Sequence, residues 1–399
     1  MSDPEPRGDD PFGGLPLFGD LFRMLGRQGG ITWEAAKQFA VAVATEGQPE
    51  MQVQPAERFH WQELARVAEL HVNDLTGLDL AAGGRSPEIL PVTPGTWAVR
   101  TLDAYRPLFE HLATSLGAGA APTGDEPPAD PAALMGSLMS LFSPVMLGMS
   151  AGSMVGHLAL RAFGQYDLPI PRPPSSELLV VAASVDRFGT DWELGADDLR
   201  LWVCLQELTT HAVLGLPHVR AGLERLLTTY AQGFRPNPDA LADRLGSIDP
   251  MAMLSGTGDA MDDLQRALGD PEIVLGAIRS PEQLTLLPQL DALVAVVVGF
   301  VDHVLDAAAP RLLGSSARIA EAVRRRRVEA DQADVFVERL LGLTLTQAQV
   351  DRGAAFVSGV VERAGETGLA RLWSSERELP TPAEVDAPGL WLARIDLPS

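Results

Sequence analysis

The segment Gln206-Glu207-Leu208-Thr209-Thr210-His211 carries the residue types and spacing closest to a recognisable chemistry. On an α-helix, residues four apart lie about 40° from each other around the axis, so side chains at 206 and 210 converge on one point. Two histidines so placed, with a glutamate after the first, hold a zinc ion and set a general base against its bound water. Here the converging positions carry Gln206 and Thr210, an amide and a hydroxyl, and only the base-equivalent Glu207 remains. His211 follows 206 by five residues, about 140° around the helix, and reaches the ligand position only through a local π-bulge.

Each of these side chains also has a plainer reading. Glu207 is either a surviving base or a carboxylate hydrogen-bonded to Gln206, Thr210 or a backbone group. His211, His218 and His303 are either an improvised metal site or histidines satisfied within the structure. Cys204 lies on an apolar face and reads as a buried, inert thiol. His60 and His71 are eleven residues apart, about three helical turns, too far to share a ligand. Asp302 and His303 are adjacent, so on a helix they point in different directions. The sequence contains no glycine-rich phosphate loop, no Gly-x-Ser-x-Gly elbow and no paired-cysteine knuckle.

These residues must be positioned by helices. Thr32 opens a segment with Ala36, Phe39, Ala40 and Val43 on one side, closed by Gly47; a second segment runs from about 57 to Gly77. A third spans about 94 to 116, with Pro107 as a kink point. Residues 117 to 131 have many breakers and no periodicity, and read as a flexible loop. Residues 131 to 156 carry only Met, Gly and other uncharged side chains, with Gly148, Gly152 and Gly156 four apart, a pattern of buried helices packed through small residues. Leu178 to Ala183 reads as a short buried strand, and the helix bearing Glu207 follows it, entered through Asp197 and Asp198. Further helices are expected at about 219–233, 238–246, 258–268, 281–309, 315–341 and 346–364, and Leu293 to Val304 is apolar nearly all round, so its helix must cross the interior.

Composition narrows the function classes. The chain has 399 residues, 46% of them hydrophobic, enough for a substantial core. A net charge of -22 opposes binding to phosphate backbones and anionic lipid, so neither a nucleic-acid nor a membrane partner is expected. The four-arginine run Arg324 to Arg327 precedes Glu329, Asp331 and Asp334 and reads as a solvated helix face. A single cysteine and an amino terminus without basic and apolar signal regions point to the cytoplasm. Residues 1–30 read as a flexible tail with an apolar anchor from Leu15 to Leu25, which offers a further way to engage a partner, and 31–397 as one domain.

The run Trp202 to Leu214 followed by Pro217-His218-Val219-Arg220 resembles the zincin-like metallopeptidase family of zinc-dependent hydrolases from high-GC Gram-positive bacteria. The likeness extends from Gly13–Asp20 through Gly148–Pro169 to Leu372-Trp373 and Leu379-Pro380-Thr381. It implies a mainly α, zincin-like helical domain with a small β element before the active-site-like helix. In the family that helix reads His-Glu-Leu-Thr-His, and a later helix supplies a glutamate just before a Gly-aromatic-Val-Asp run. That run stands here as Gly299-Phe300-Val301-Asp302, preceded by Val298. By this resemblance Gln206, Thr210 and Val298 occupy all three ligand positions. The expectation is a non-catalytic member with Glu207 as a vestigial base, no cofactor, and a cleft kept for a peptide or protein partner. The alternative is an active zinc-dependent hydrolase using His211 or His303 as substitute ligands.

Overall fold

The computed structural model describes residues 32–81, 86–117, 147–236, 277–278, 280–329, 340–343 and 345–397. In chain order the elements are α1 (Trp33–Ala44), α2 (Pro55–Thr76), β1 (Glu88–Val92), α3 (Pro94–Gly117), α4 (147–161), β2 (Glu177–Val181), α5 (Ala182–Asp191), α6 (Ala196–Gly215), α7 (Pro217–Gln232), α8 (Pro281–Leu312), α9 (Ser316–Val328), α10 (Gln347–Ala370), α11 (Pro382–Val385) and α12 (Pro388–Ile395). Two-residue strands at Arg235–Pro236 and Ala277–Ile278 pair antiparallel. The fold is mainly α, as expected. The flexible-loop reading of 117–131, the helices expected at 238–246 and 258–268, and the amino-terminal anchor lie, all but Gly117, outside the described residues.

The small β element is a parallel pair: β1 runs beside β2 from Glu88 opposite Glu177 to Val92 opposite Val181. The strand expected at 178–183 is therefore present but stops at Val181, because Ala182 already opens α5. Strand β1 is an addition to the expected elements. A backbone bridge from Gly164 to Val180, with Val181 N–H donating to Phe163 O at 2.8 Å, lays the 163–167 segment along β2 and in front of α6. The Trp97 indole N–H donates to Gly164 O at 2.9 Å and fixes the same segment from α3.

Helix α8 forms where its sequence signals say it should. Ser280 caps it in a capping box, accepting from Gln283 N while Gln283 Oε1 accepts from Ser280 N, and Pro281 occupies the first turn. From Leu290 to Leu305 nearly every side chain is buried, each Val or Leu contributing about 1.5–3 kcal/mol of apolar burial. By length and composition this helix could span a membrane, yet 61% of its most apolar window is buried inside the protein, as in a core helix. It packs most extensively on α10, also on α6 and α7. The α8–α10 crossing is set by glycines: a Cβ on Gly353 would sit 1.8 Å from Ala295 O, and one on Gly299 2.3 Å from Gly353 C. Only backbone without side chains can approach this closely, and the contact fixes the neighbouring Val298.

Candidate functional site

Helix α6 is buried on all sides from Leu201 to Leu214, so its polar residues must find partners inside the protein. Glu207 is fully buried. Its Oε2 accepts from the Tyr166 backbone N–H at 3.0 Å, while Oε1 is buried with no hydrogen-bond partner among the described residues. The carboxyl presses on Gly164, where a Cβ would lie 2.3 Å from Glu207 Cδ, so only glycine fits there. Desolvation and the nearby Asp167 carboxylate push the Glu207 pKa up to about 8, with the Tyr166 N–H bond and Arg172 pulling partly back. At neutral pH this carboxyl is mostly protonated. Of the plainer sequence readings, the bond to a backbone group is the one observed.

Gln206 and Thr210 face elsewhere. Together with Val298 they line a half-open cavity of about 40 Å³ between α6, α8, α9 and the 163–169 segment. The three positions assigned by resemblance to metal ligands thus meet at one place. Val297, Val301, Val323 and Leu345 give it an apolar wall, and Tyr166, Asp167, Arg326 and Arg327 a polar one. Thr210 donates its hydroxyl proton to Gln206 O at 2.8 Å. The Gln206 side chain makes no hydrogen bond among the described residues, and its Oε1 is buried and unpartnered. Glu207 is not among the residues lining this cavity.

The arginine run corrects the expectation of a solvated face. Arg324 and Arg325 do lie outward, paired with Asp306 and Glu321. Arg326 and Arg327 turn inward. Arg327 makes a two-pronged pair with Asp302 at 2.8 and 3.0 Å. Arg326 donates to Asp167 at 2.5 Å and to Arg161 O at 2.6 Å, and its guanidinium lies 3.7 Å from the Phe163 ring centroid. Sequence reading missed Tyr166, Asp167 and both arginines as cavity residues. A run of four like residues covers every face of a helix turn, so periodicity cannot say which two face in.

The substitute histidines are not brought together. His211 Nδ1 bonds the Tyr166 hydroxyl at 3.0 Å, and burial with the Arg220 charge holds its pKa down at about 4. Helix α6 is α-helical throughout, so no π-bulge turns His211 toward Gln206. His303 bonds Glu366 at 3.1 Å, away from Asp302, whose partner is Arg327. His218 Nε2 is buried without a hydrogen-bond partner among the described residues. Among the described residues no group of three or more His, Cys, Asp or Glu is placed to hold a metal ion. His60 pairs with Asp197 at 2.7 Å. Cys204 is a buried free thiol, its pKa pushed well up by burial.

The sequence profile described as "Zincin-like metallopeptidase" matches residues 31–392, most of the chain. The chain belongs to this family. Its fold is also similar to a crystal structure of a proposed hydrolase with a novel fold from Chloroflexus aurantiacus, with a TM-score of 0.57 at 22% identity, covering 92% of this chain and 100% of that one. At that identity the likeness concerns the fold. No curated protein matches the chain. Within this family fold, Gln206 and Thr210 of the helix that carries Glu207 meet Val298 of α8 at one cavity.

Proposed function

We propose that the chain is a non-catalytic member of the zincin-like family that has lost its zinc ligands and keeps the cavity for a peptide or protein partner, in a cytoplasmic setting. One observation carries this reading: Gln206, Thr210 and Val298 converge on one cavity while Glu207 points away from it. Zinc takes thiolate, imidazole or carboxylate donors at about 2.0–2.3 Å. An amide, a hydroxyl and an isopropyl group do not fit that demand, and the two nearby carboxylates, Asp167 and Asp302, are each held by a guanidinium. Glu207, sealed against Gly164 and not among the residues lining the cavity, is not aimed at it as a general base would have to be. A hydrolase using His211 or His303 instead would need both rings to leave their present partners.

The test is cleavage of a mixed peptide library by the full chain supplied with zinc, followed by mass spectrometry beside Glu207→Gln. The expected result is no cleavage beyond that of the variant. Zinc-dependent cleavage that Glu207→Gln abolishes contradicts the proposal.

A further inference from the structure

We infer that the outer face of α2 pairs two copies of this chain. The two α2 helices lie antiparallel about a two-fold axis, with Phe59 of each copy against Leu70 of the other and Glu63 against Arg66.

The face is defined by what the helix buries. Trp61, Ala65, Ala68 and Val72 point into the protein, so the opposite side of α2 is left to solvent. Exposed along that side are Ala56, Phe59, Glu63, Arg66, Leu70 and Asn73. They are spaced alternately three and four residues apart, the heptad alternation that makes a straight seam between two helices. At 1.5 Å per residue the seam is about 26 Å long. Phe59 is 61% exposed and Leu70 71%, with Val67 beside them at 40%. A single exposed apolar side chain is ordinary on a protein surface; here three lie along one face of one helix. His60, bonded to Asp197, and Gln62, bonded to Glu88, flank the seam and hold the helix to the body of the protein.

The order of residues along the seam names the occupant. About a midpoint between 64 and 65, position 63 mirrors 66, 59 mirrors 70 and 56 mirrors 73. An isologous two-fold interface requires such self-complementarity, because each patch must accept what it presents. The mirrored pairs are opposite charges (Glu63 with Arg66), large apolar groups (Phe59 with Leu70) and small or polar groups (Ala56 with Asn73). Glu63 and Arg66 already form an ion pair within the helix. Across the axis each gains a second opposite charge, closing a ring of four that alternates in sign. A parallel pairing would set Glu63 on Glu63 and Arg66 on Arg66, so the charges select the antiparallel direction.

The net charge of -22 on each copy opposes association at long range, but physiological salt screens it beyond about 8 Å. One helix pair of this length buries less than the roughly 1,200 Å² of a standard interface, so the dimer is weak, with a dissociation constant of about 10–100 µM.

Sedimentation equilibrium of the full chain at physiological ionic strength tests this, with protein raised to about 0.5 mM so that a weak dimer is populated. The mass should climb from one chain toward two. Glu63→Arg and Arg66→Glu, each placing like charges together on the axis, should each weaken association about tenfold or more. Glu63→Arg with Arg66→Glu restores the alternating ring and should restore the parent's association, a rescue that simple damage to the helix would not give. Register is read by a short bismaleimide cross-linker on single-cysteine additions, the native Cys204 being buried. Phe59→Cys mixed with Leu70→Cys should link, whereas Phe59→Cys alone should not, its two thiols lying about 16 Å apart along the seam. A single-chain mass at every concentration, association unmoved by the charge reversals, failure of the double reversal to rescue, or equal linking of Phe59→Cys to itself each overturns the inference.

Discussion

Helix α6 serves two buried polar regions that solve the same problem in opposite ways. Around the cavity the charges are matched: Arg327 with Asp302 and Arg326 with Asp167, each at hydrogen-bonding distance. Around Glu207 they are not. Among the described residues Glu207 Oε1, Tyr105 Oη and Arg172 Nε are buried without hydrogen-bond partners, and Arg172, only 5% exposed, donates to Thr101 and lies over the faces of Trp97 and Tyr105. A matched region is costly to break by halves and cheap to keep, because removing one partner strands a buried charge. An unmatched region stores instability that a neutral substitution releases. Glu207 lies in the unmatched region, whereas Gln206, Thr210 and Val298 border the matched one.

The largest effect follows from breaking the matched side. Arg327→Met should destabilise the protein by about 3–5 kcal/mol by leaving Asp302 buried and unpaired, measured by urea unfolding. Arg327→Met with Asp302→Leu should recover much of that loss, as both charges then go together. If the single variant is as stable as the parent, the region is wetter than its geometry indicates.

Glu207→Gln should act in the opposite direction and with a pH signature. The carboxyl's folded pKa, about 8, lies above its ordinary value of 4.5, so its contribution to stability is fully present below pH 4.5 and is lost as pH rises toward 8. The parent should therefore lose stability between about pH 5 and 8, by at most about 1.4 kcal/mol per pH unit, relative to Glu207→Gln, which has no proton to lose. Thermal melting across that range reads the difference. Parallel pH profiles for the two proteins would mean that Glu207 is ionised and satisfied.

Tyr105→Phe should have the smallest effect, within about 0.5 kcal/mol of the parent or slightly stabilising, because it removes a hydroxyl with no hydrogen-bond partner among the described residues. A loss of 2 kcal/mol or more by chemical denaturation, far above that ~0.5 kcal/mol range, would show that the hydroxyl is bonded and that the two regions differ less than described.

Much of the helical frame was legible because it is written locally. Gly77 in the left-handed conformation closes α2 where the sequence placed the stop, and the Ser280–Gln283 and Thr346–Gln349 capping boxes open α8 and α10 within a residue or so of expectation. The α8 interior and its polar exit through Asp302 and His303 were also legible, since an all-round apolar stretch has nowhere to go but the core. Strand β1 was not. Glu88–Val92 is five residues long and becomes a strand only by pairing with β2, a partner far along the chain, which no local pattern announces. The site divides in the same way. The juxtaposition of Gln206 and Thr210 follows from helix spacing, but the inward turn of Arg326 and Arg327 depends on Asp167 and Asp302 waiting on other elements. The identity of the unpaired atoms could be seen only in three dimensions.

The central claim is that the cavity lined by Gln206, Thr210 and Val298 does not hold a zinc ion, and elemental analysis of the full chain purified without chelator tests it most directly. The account predicts zinc far below one per chain, unchanged by Gln206→Ala. One tightly held zinc per chain, lost on that substitution, would contradict it.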